Sequence, residues 1–300
     1  MTALLTRVKS RLFIAANRRT WGLLDGEYAS VYRGRGLDYD DLREYVPGDE
    51  IRDVDWKATA RHGSPLVKRY LATRRQTVLF VTTTGRSMAA LAASGEPKSD
   101  VVVMVVGLLG YLAVRHGDVV GLAAGDSTGT VLREAGATEA HLERLLRILD
   151  GQTTTQAPPG HVCDQLRHVA EHVRTRALLV VVADEGTFVG EPRVAAENAA
   201  LLRRLHAQHE ILWVSIEDAD PTTIGGLADV ADVDAGTLVP GAVRLQRRLR
   251  AAYLKAAEGR RAATDAALSP HGIAQVRVGG SQEAVPAVFR LLEKQRRRAR

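Results

Sequence analysis

The feature that most constrains this chain is a regular alternation, from Thr77 onward, of short apolar runs with longer amphipathic stretches. The runs are rich in β-branched residues and mostly lack polar positions, which is typical of parallel strands buried on both faces. Stretches of helical periodicity separate them, and this order is the pattern of successive βαβ units. We therefore predict an α/β fold with a doubly wound, mostly parallel sheet flanked by helices.

The predicted elements can be placed along the chain from this pattern. The candidate strands are residues 77–82, 119–124, 178–183, 211–216, 232–235 and 274–278, with 129–132 as an edge strand. The candidate helices are residues 98–115, 138–149, 162–175, 193–208, 243–267 and 283–298. Thr138 is the predicted N-cap of the second of these helices.

The composition excludes several classes of protein. With 300 residues and 45% hydrophobic content, the chain is long and apolar enough to bury a core, which excludes disorder. Its single cysteine, Cys163, cannot form an intramolecular disulfide, so we expect a reducing, cytoplasmic location. The longest apolar run, residues 101–114, is shorter than the roughly 20 residues that cross a bilayer, so we predict no membrane span.

The segment before the α/β region has a different composition. Residues 2–24 are predicted to form a basic amphipathic helix, and residues 25–75 an irregular strap, so we divide the chain into domains 1–75 and 76–300. Residues 33–61 contain eight acidic and six basic residues with aromatic residues between them, which is too aromatic for a linker. At the other end, the basic tail of residues 290–300 carries +5 of the total net charge of +6.

Acidic residues follow most of the predicted parallel strands. In an open sheet of this kind, ligands bind outside the carboxyl ends of the strands. The loops at those ends are residues 83–87, 125–127, 184–186 and 217–220, and three of the four are acidic. Their carboxylates could cap the following helices, or could join neighbouring hydroxyls in an oxygen-rich site that suits Mg²⁺. The residues alone leave both interpretations open.

One segment resembles a known family. Residues 33–70, RGRGLDYDDLREYVPGDEIRDVDWKATARHGSPLVKRY, contain GxG, DLREYxPGD, RxxDW and AR in the order found in the bacterial domain of unknown function 58 family. Several motifs over nearly forty residues are far more specific than a single short motif. The resemblance implies that the rest of the chain forms a von Willebrand factor A-like, or Rossmann-like, domain.

That resemblance also implies a metal-ion-dependent adhesion site, in which Asp-x-Ser-x-Ser joins a Thr and an Asp around a divalent ion. The corresponding residues here are Thr83, Gly85, Ser87, Thr154 and Asp184. Because the leading carboxylate and the middle serine are missing, we predict a vestigial site with no cofactor, or weak Mg²⁺ binding at most. Arg86 is a candidate to fill the position of the ion by pairing with Asp184.

The strap contains the residues that the family signature singles out. They are Arg43, Tyr45, Asp49, Arg52, Asp55, Trp56 and Arg61. In one interpretation, ion pairs and a buried Trp56 hold the strap on the sheet. In the other, part of the strap is a docking surface, because Arg, Tyr and Trp dominate binding hot spots.

The function that the resemblance implies is that of a non-enzymatic adaptor or cofactor for a MoxR-type AAA+ ATPase and its client proteins. A first alternative is a metal-dependent phosphodiesterase or nuclease, because Asp49, Asp55 and Lys57 loosely imitate a carboxylate and acid-x-Lys pattern. A second alternative is nucleic-acid binding through the basic tail. We do not expect nucleic acid to be the partner, because the body of the chain is nearly neutral.

Overall fold

The computed structural model describes residues 3–15, 28, 39–47, 49, 54–70, 75–189, 192–225, 229–244 and 246–298. The chain forms two compact units, one of Tyr32–Arg75 and one of Met1–Val31 with Gln76–Arg300. The N-terminal helix therefore belongs to the large unit, whereas the sequence had grouped it with the strap.

The N-terminal helix packs inside the large unit. Helix α1, Leu4–Ala15, buries Leu5, Val8 and Leu12, which recur at helical spacing on one face. The Glu143 carboxylate accepts hydrogen bonds from the backbone N–H groups of Leu4 and Leu5, which have no partners within the helix itself. The helix had been predicted over residues 2–24, and residues 16–24 lie outside the described part of the chain.

The strap unit is more regular than predicted. Strand β1, Tyr39–Glu44, pairs antiparallel with β2, Leu66–Tyr70, and helix α2, Trp56–His62, lies between them in the chain. The helix ends at Gly63, whose φ of 87° is the left-handed conformation that favours glycine. The prediction of an irregular strap was therefore wrong for these residues.

The large unit is built on one six-stranded sheet. Its first three strands are β3, Thr77–Thr83, β4, Val119–Asp126, and β5, Gly129–Gly136; β6, Leu178–Asp184, and β7, Glu210–Ile216, follow. A two-stranded hairpin of β8, Val230–Ala231, and β9, Leu238–Val239, precedes the last strand, β10, Ala274–Val278. The sheet order is β10-β7-β6-β3-β4-β5, and only β5 runs antiparallel to its neighbour.

Helices cover both faces of this sheet, which confirms the predicted doubly wound architecture. The remaining helices are α3, Lys98–Arg115, α4, Glu139–Gln152, α5, Val162–His172, α6, Pro192–Gln208, α7, Gly241–Arg244, α8, Arg247–Leu268, and α9, Ala284–Arg298. On one face, helix α3 contacts α1, α4 and α9, and α1 also contacts α4. Helices α5 and α6 and the end of α8 pack around a second apolar core.

One predicted element needs correction. Residues 232–235 form the turn between β8 and β9 instead of a strand, because the Asp232 carboxylate accepts hydrogen bonds from the N–H groups of Asp234 and Ala235. The helix predicted over residues 283–298 is confirmed, and most of the basic tail lies in it. Within it, Leu291 and Leu292 of α9 are fully buried, so the apolar face of this helix continues past residue 290.

The most apolar helix of the chain lies inside the protein. Helix α3 buries 14 of its 18 residues. Among the described helices, none combines the length and the apolar character needed to cross a bilayer.

Candidate functional site

The loops that the sequence singled out lie together along the edge of the sheet formed by the carboxyl ends of its parallel strands. Strand β3 lies between β4 and β6, so the loop after Thr83 is flanked by the ends of both neighbours. Asp184 is the last residue of β6, and the register pairs Thr82 with Val182 two residues earlier. The topology therefore brings Thr83, Ser87 and Asp184 to the same edge, as the strand order predicted.

The loop directly after β3 is closed by backbone. The Thr83 hydroxyl donates a hydrogen bond to the carbonyl oxygen of Gly125 at 3.0 Å and accepts one from the N–H of Gly85 at 3.1 Å. A Cβ atom on Gly85 would lie 2.4 Å from the backbone nitrogen of Gly160, and one on Gly160 would lie 2.2 Å from the Thr83 hydroxyl oxygen. The 158–160 loop thus fills the space that a serine side chain at position 85 would require.

The oxygen atoms at the end of β3 are a poor set of ligands for a divalent ion. The Asp184 carboxylate accepts hydrogen bonds from the Gly186 N–H at 3.2 Å and the Thr187 hydroxyl at 3.4 Å. Thr154 is exposed on its loop, and Thr155 is the threonine that faces the neighbouring groove. Mg²⁺ favours several oxygen ligands that include carboxylates, and here one carboxylate stands beside an engaged hydroxyl. Within the described ranges, no group of three or more His, Cys, Asp or Glu side chains is arranged to hold a metal.

Arg86 does not make the contact that we had predicted. Its Nε lies 3.7 Å from a carboxylate oxygen of Asp234, on the turn of the β8–β9 hairpin. The side chain therefore points to a residue that the sequence had placed in a strand, and the pairing with Asp184 was wrong. The backbone N–H of Arg86 donates to the carbonyl oxygen of Pro158, which helps to hold the closing loop.

Beside the closed loop lies an open cavity of about 650 Å³, which we call the strand-end groove. The ends of β3, β6 and β7, the β8–β9 hairpin and helix α8 contribute to its walls. Its lining residues are Ser87, Ala89, Ala90, Leu91, Lys98, Thr155, Asp184, Gly186, Asp218, Ala219, Pro221, Ile224, Val230, Ala231, Asp232, Val233, Asp234, Val239, Tyr253 and Arg260. Its size is that of a typical ligand pocket, and half of these residues are apolar.

Carboxylates and cations are unequally distributed in the strand-end groove. Lys98, at the start of α3, is only 3% exposed and forms an ion pair with Asp218. Partial burial raises the pKa of Asp234, and the neighbouring charges of Asp184 and Asp232 raise it further. Asp184 has no ion-pair partner among the described residues. The groove therefore has a surplus of negative charge.

Ser87 is the other polar residue of note in this groove. It is 6% exposed, and its hydroxyl oxygen has no hydrogen-bond partner among the described residues. A buried hydroxyl without a partner costs free energy, so such groups are uncommon in folded proteins. The expectation that ligands bind at the carboxyl ends of the strands had identified Ser87, Asp184 and Asp218 from the sequence. It could not identify Lys98 or Tyr253, which reach the groove from within helices.

A second charged cluster lies along the same edge. Arg261 of α8 donates to Glu185 at 3.0 Å and forms an ion pair with Glu217 at 3.0 Å. Glu185 is 3% exposed, and burial raises its pKa even though Arg261 opposes this shift. One guanidinium group therefore pairs with two carboxylates. The cluster adds to the excess of acidic groups along the carboxyl ends of the strands.

In the strap, the charged signature residues are engaged in local structure. Arg43 forms an ion pair with Asp49 at 2.6 Å, and a hydrogen bond from the Val46 N–H, together with Arg43, lowers the pKa of Asp49. Asp55 caps α2 by accepting hydrogen bonds from the N–H groups of the next turn. Neither carboxylate is left free for the metal-dependent chemistry proposed with Lys57. Arg52 lies outside the described residues.

The aromatic residues of the strap are exposed. Trp56 is 65% exposed and Tyr45 is 37% exposed, and Val46 beside them is 55% exposed. The interpretation of Trp56 as a buried anchor was therefore wrong. Arg61 is also exposed, at the carboxyl end of α2.

The lone cysteine has the environment of a core residue. Cys163 is 1% exposed, and burial raises the pKa of its thiol to about 12. A thiol in this state is almost never a thiolate at neutral pH, so it is a poor nucleophile.

Comparisons with known proteins give similar chains of low identity. Proteins described as uncharacterized from Mycobacterium tuberculosis strain H37Rv and from Mycobacterium bovis are each 26% identical over 257 residues, which cover 84% of this chain and 77% of theirs.

Solved structures of similar shape include three bacterial proteins. An aerotolerance-related membrane protein from Bacteroides fragilis has a TM-score of 0.43 at 14% identity, covering 73% of this chain and 99% of that one. A von Willebrand factor type A protein from Catenulispora acidiphila has a TM-score of 0.39 at 9% identity, covering 75% and 43%. The PilB minor pilin from Streptococcus sanguinis has a TM-score of 0.41 at 11% identity, covering 78% and 66%. The fold described above rests on the strand order of this chain alone.

The family model is the comparison that identifies the chain. It matches residues 41–263, which include most of the strap, the closed loop and the strand-end groove. The chain belongs to the family described as "Protein of unknown function DUF58", as the motifs of residues 33–70 had predicted.

Proposed function

We propose that this chain is a non-enzymatic, cytosolic protein-binding adaptor that works with a MoxR-type AAA+ ATPase and its client proteins. The observation that carries this proposal is the closed loop at Gly85 and Gly160 beside the open strand-end groove. The closed loop offers a divalent ion few free ligands, whereas the groove has the size and mixed lining of a recognition site. Energy for any remodelling would come from the ATPase.

The strap supports the same proposal with a second surface. Trp56, Val46 and Tyr45 expose apolar area close together in sequence, while Asp49 and Asp55 are held by local bonds. Aromatic side chains supply much of the energy of protein interfaces. We assign Trp56 to the contact with the ATPase.

The experiment is a binding measurement between the purified chain and the purified MoxR-type ATPase of the same organism, without nucleotide, by biolayer interferometry. We expect binding that is equal in EDTA and in Mg²⁺, and that weakens at least about tenfold in Trp56→Ala. The control is Leu132→Ala, which removes an exposed apolar side chain from strand β5. It should bind as the wild type does.

Two results would contradict the proposal. One is the absence of binding by a folded wild-type chain. The other is binding that requires Mg²⁺ and disappears in EDTA, because the closed loop would then have to open around an ion.

A further inference from the structure

We propose that the strand-end groove receives a lysine or arginine side chain from an exposed segment of the partner protein. The cationic group would lie beside Asp184, Asp234 and Ser87, and its methylene groups would lie along the apolar wall. This inference rests on the adaptor function proposed above and adds the chemistry of the group that is recognised.

The first argument is charge. Four carboxylates line the groove, against two cationic side chains, Lys98 and Arg260. Lys98 is committed to its ion pair with Asp218, and the Arg260 guanidinium lies over the ring of Tyr253, 5.4 Å from its centre. Arg86 reaches Asp234 from outside the lining at 3.7 Å, which is close to the upper limit for an ion pair. Asp184 is thus left without a cation, and a cation brought by the partner would supply one.

The second argument is the unpartnered hydroxyl. Ser87 contributes to the groove wall, is more than nine-tenths buried, and has no hydrogen-bond partner for its Oγ within the described part of the chain. A hydroxyl oxygen carries two lone pairs, with which it can accept hydrogen bonds from ammonium and guanidinium groups. Because this oxygen exposes almost no surface, a cation bound at the Asp184 carboxylate reaches it only when the Ser87 side chain turns towards the groove, and the contact would then remove an existing cost.

The third argument is the shape of the remaining wall. Its apolar lining includes Leu91, Pro221, Ile224, Val239 and the ring of Tyr253. The hydroxyl of Tyr253 donates to the carbonyl oxygen of Ala219 at 3.2 Å, which fixes the ring against this wall. Lysine and arginine bury their methylene stems on such surfaces while the charged end keeps polar partners. A small inorganic cation would leave this apolar area unused.

Charge also separates this occupant from its alternatives. An acidic segment would meet the surplus carboxylates and be repelled, and an uncharged apolar segment would leave Asp184 and Ser87 desolvated without partners. Of these occupants, only a long cationic side chain can pair with the carboxylates and also cover the apolar wall.

The test uses the full chain and blocked pentapeptides, Ala-Leu-Xaa-Leu-Ala, in which Xaa is Lys, Arg, norleucine or Glu. Binding is followed through the amide NMR signals of Ser87, Gly186 and Ala219. We expect the Lys and Arg peptides to shift these signals, and the norleucine peptide, which keeps the stem and lacks the charge, to bind at least about tenfold more weakly. The Glu peptide should leave the signals unchanged.

The matched variants are Asp184→Asn with Asp234→Asn, which remove two charges from the groove and keep the shape of both side chains. We expect this pair to weaken Lys-peptide binding at least about tenfold. The control pair, Glu134→Gln with Asp150→Asn, removes two charges from exposed positions on β5 and α4. It should bind as the wild type does, so the two pairs separate a local effect from a change in net charge.

Equal binding of the Lys and norleucine peptides, or Lys-peptide binding that survives in the groove variants, would overturn the inference. Failure of every peptide to bind would overturn it as well. In each case the ATPase measurement remains a separate readout. An ATPase contact that persists in the groove variants would mean that the adaptor function stands through the contact assigned to Trp56 and that only the role of the groove is overturned.

Discussion

Two neighbouring regions at the carboxyl ends of the strands differ in their packing: the end of β3 is filled by backbone, whereas the strand-end groove beside it is open. At the end of β3, backbone from the 158–160 loop fills the available space, and the Thr83 hydroxyl donates one hydrogen bond and accepts another. Beside it, along the ends of β6 and β7, the strand-end groove stays open, with a surplus of carboxylates and the buried Ser87 hydroxyl that the loop after β3 contributes. The open groove and its negative charge therefore lie directly beside the closed position at the end of β3.

The comparison explains how this end of the sheet could take part in recognition without a metal. In an ion-dependent site, the protein supplies carboxylates and the metal supplies the charge that attracts a ligand. Here the carboxylates lie in a partly apolar groove that a side chain can enter. The predictions below test the closed loop and the groove separately.

The largest effect is expected for Lys98→Met. This substitution removes the cation of a buried pair and leaves Asp218 without its partner. We expect a loss of about 3 kcal/mol in the free energy of unfolding, at the low end of the range for broken buried pairs, because Asp218 is partly exposed. Urea denaturation measures it. Recovery of stability in Lys98→Met with Asp218→Asn would confirm the cause, and a loss under about 1 kcal/mol would show that the pair contributes little.

The next effect is expected for Gly160→Ala, which tests the closed loop. Its Cβ would lie 2.2 Å from the Thr83 hydroxyl oxygen, so the loop or the strand end must shift. We expect a loss of about 2 kcal/mol, as for other overpacked sites. Gly151→Ala is the control, because a Cβ there has no neighbour within 4 Å and lies in a helix, where alanine is favoured. Equal stability of the two variants would mean that the loop is not closed.

A smaller effect, which depends on pH, is expected at Glu185. Burial raises its pKa in the folded state, so the folded chain binds this proton more tightly than the unfolded chain does. The stability of the wild type relative to Glu185→Gln should therefore be greatest at low pH and should fall as the pH rises through the raised pKa. Denaturation of both proteins across a series of pH values measures the difference. A difference that grows with pH would contradict the assignment.

The smallest effect on stability is expected for Asp234→Asn. The carboxylate of Asp234 is about half exposed and is crowded by Asp184 and Asp232. Loss of its charge relieves repulsion and gives up only the long contact to Arg86, so we expect a change within about 0.5 kcal/mol. Thermal denaturation beside the wild type measures it. A large loss of stability would mean that Asp234 is a structural residue, and that its effect on binding cannot be attributed to recognition.

The regular parts of the fold were predictable because their signals are local. Helix α3 and strand β10 have the predicted bounds, since both are apolar runs with clear ends. The strap pair was missed because β1, YDDLRE, is polar and finds its partner more than twenty residues later. The strand predicted at residues 232–235 was wrong for another reason. The sequence there alternates like a strand, but a hydrogen bond to the Asp232 side chain forms a turn.

The candidate site was predicted in its position and only partly in its members. Strand ends identify Ser87 and Asp184, because the rule that ligands gather there depends on topology alone. The closure by Gly160 and the entry of Lys98 depend on how distant segments pack, which a spacing pattern does not encode. The exposure of Trp56 likewise depends on how α2 packs on its neighbours and not on residue type.

The most direct test of the central claim is isothermal titration of the purified chain with Mn²⁺ and Mg²⁺, beside Asp184→Ala. The claim is that this sheet edge recognises its partner without a divalent ion. We predict no binding of either ion in the micromolar range and no difference between the two proteins. Micromolar binding to the wild type that disappears in Asp184→Ala would contradict the claim.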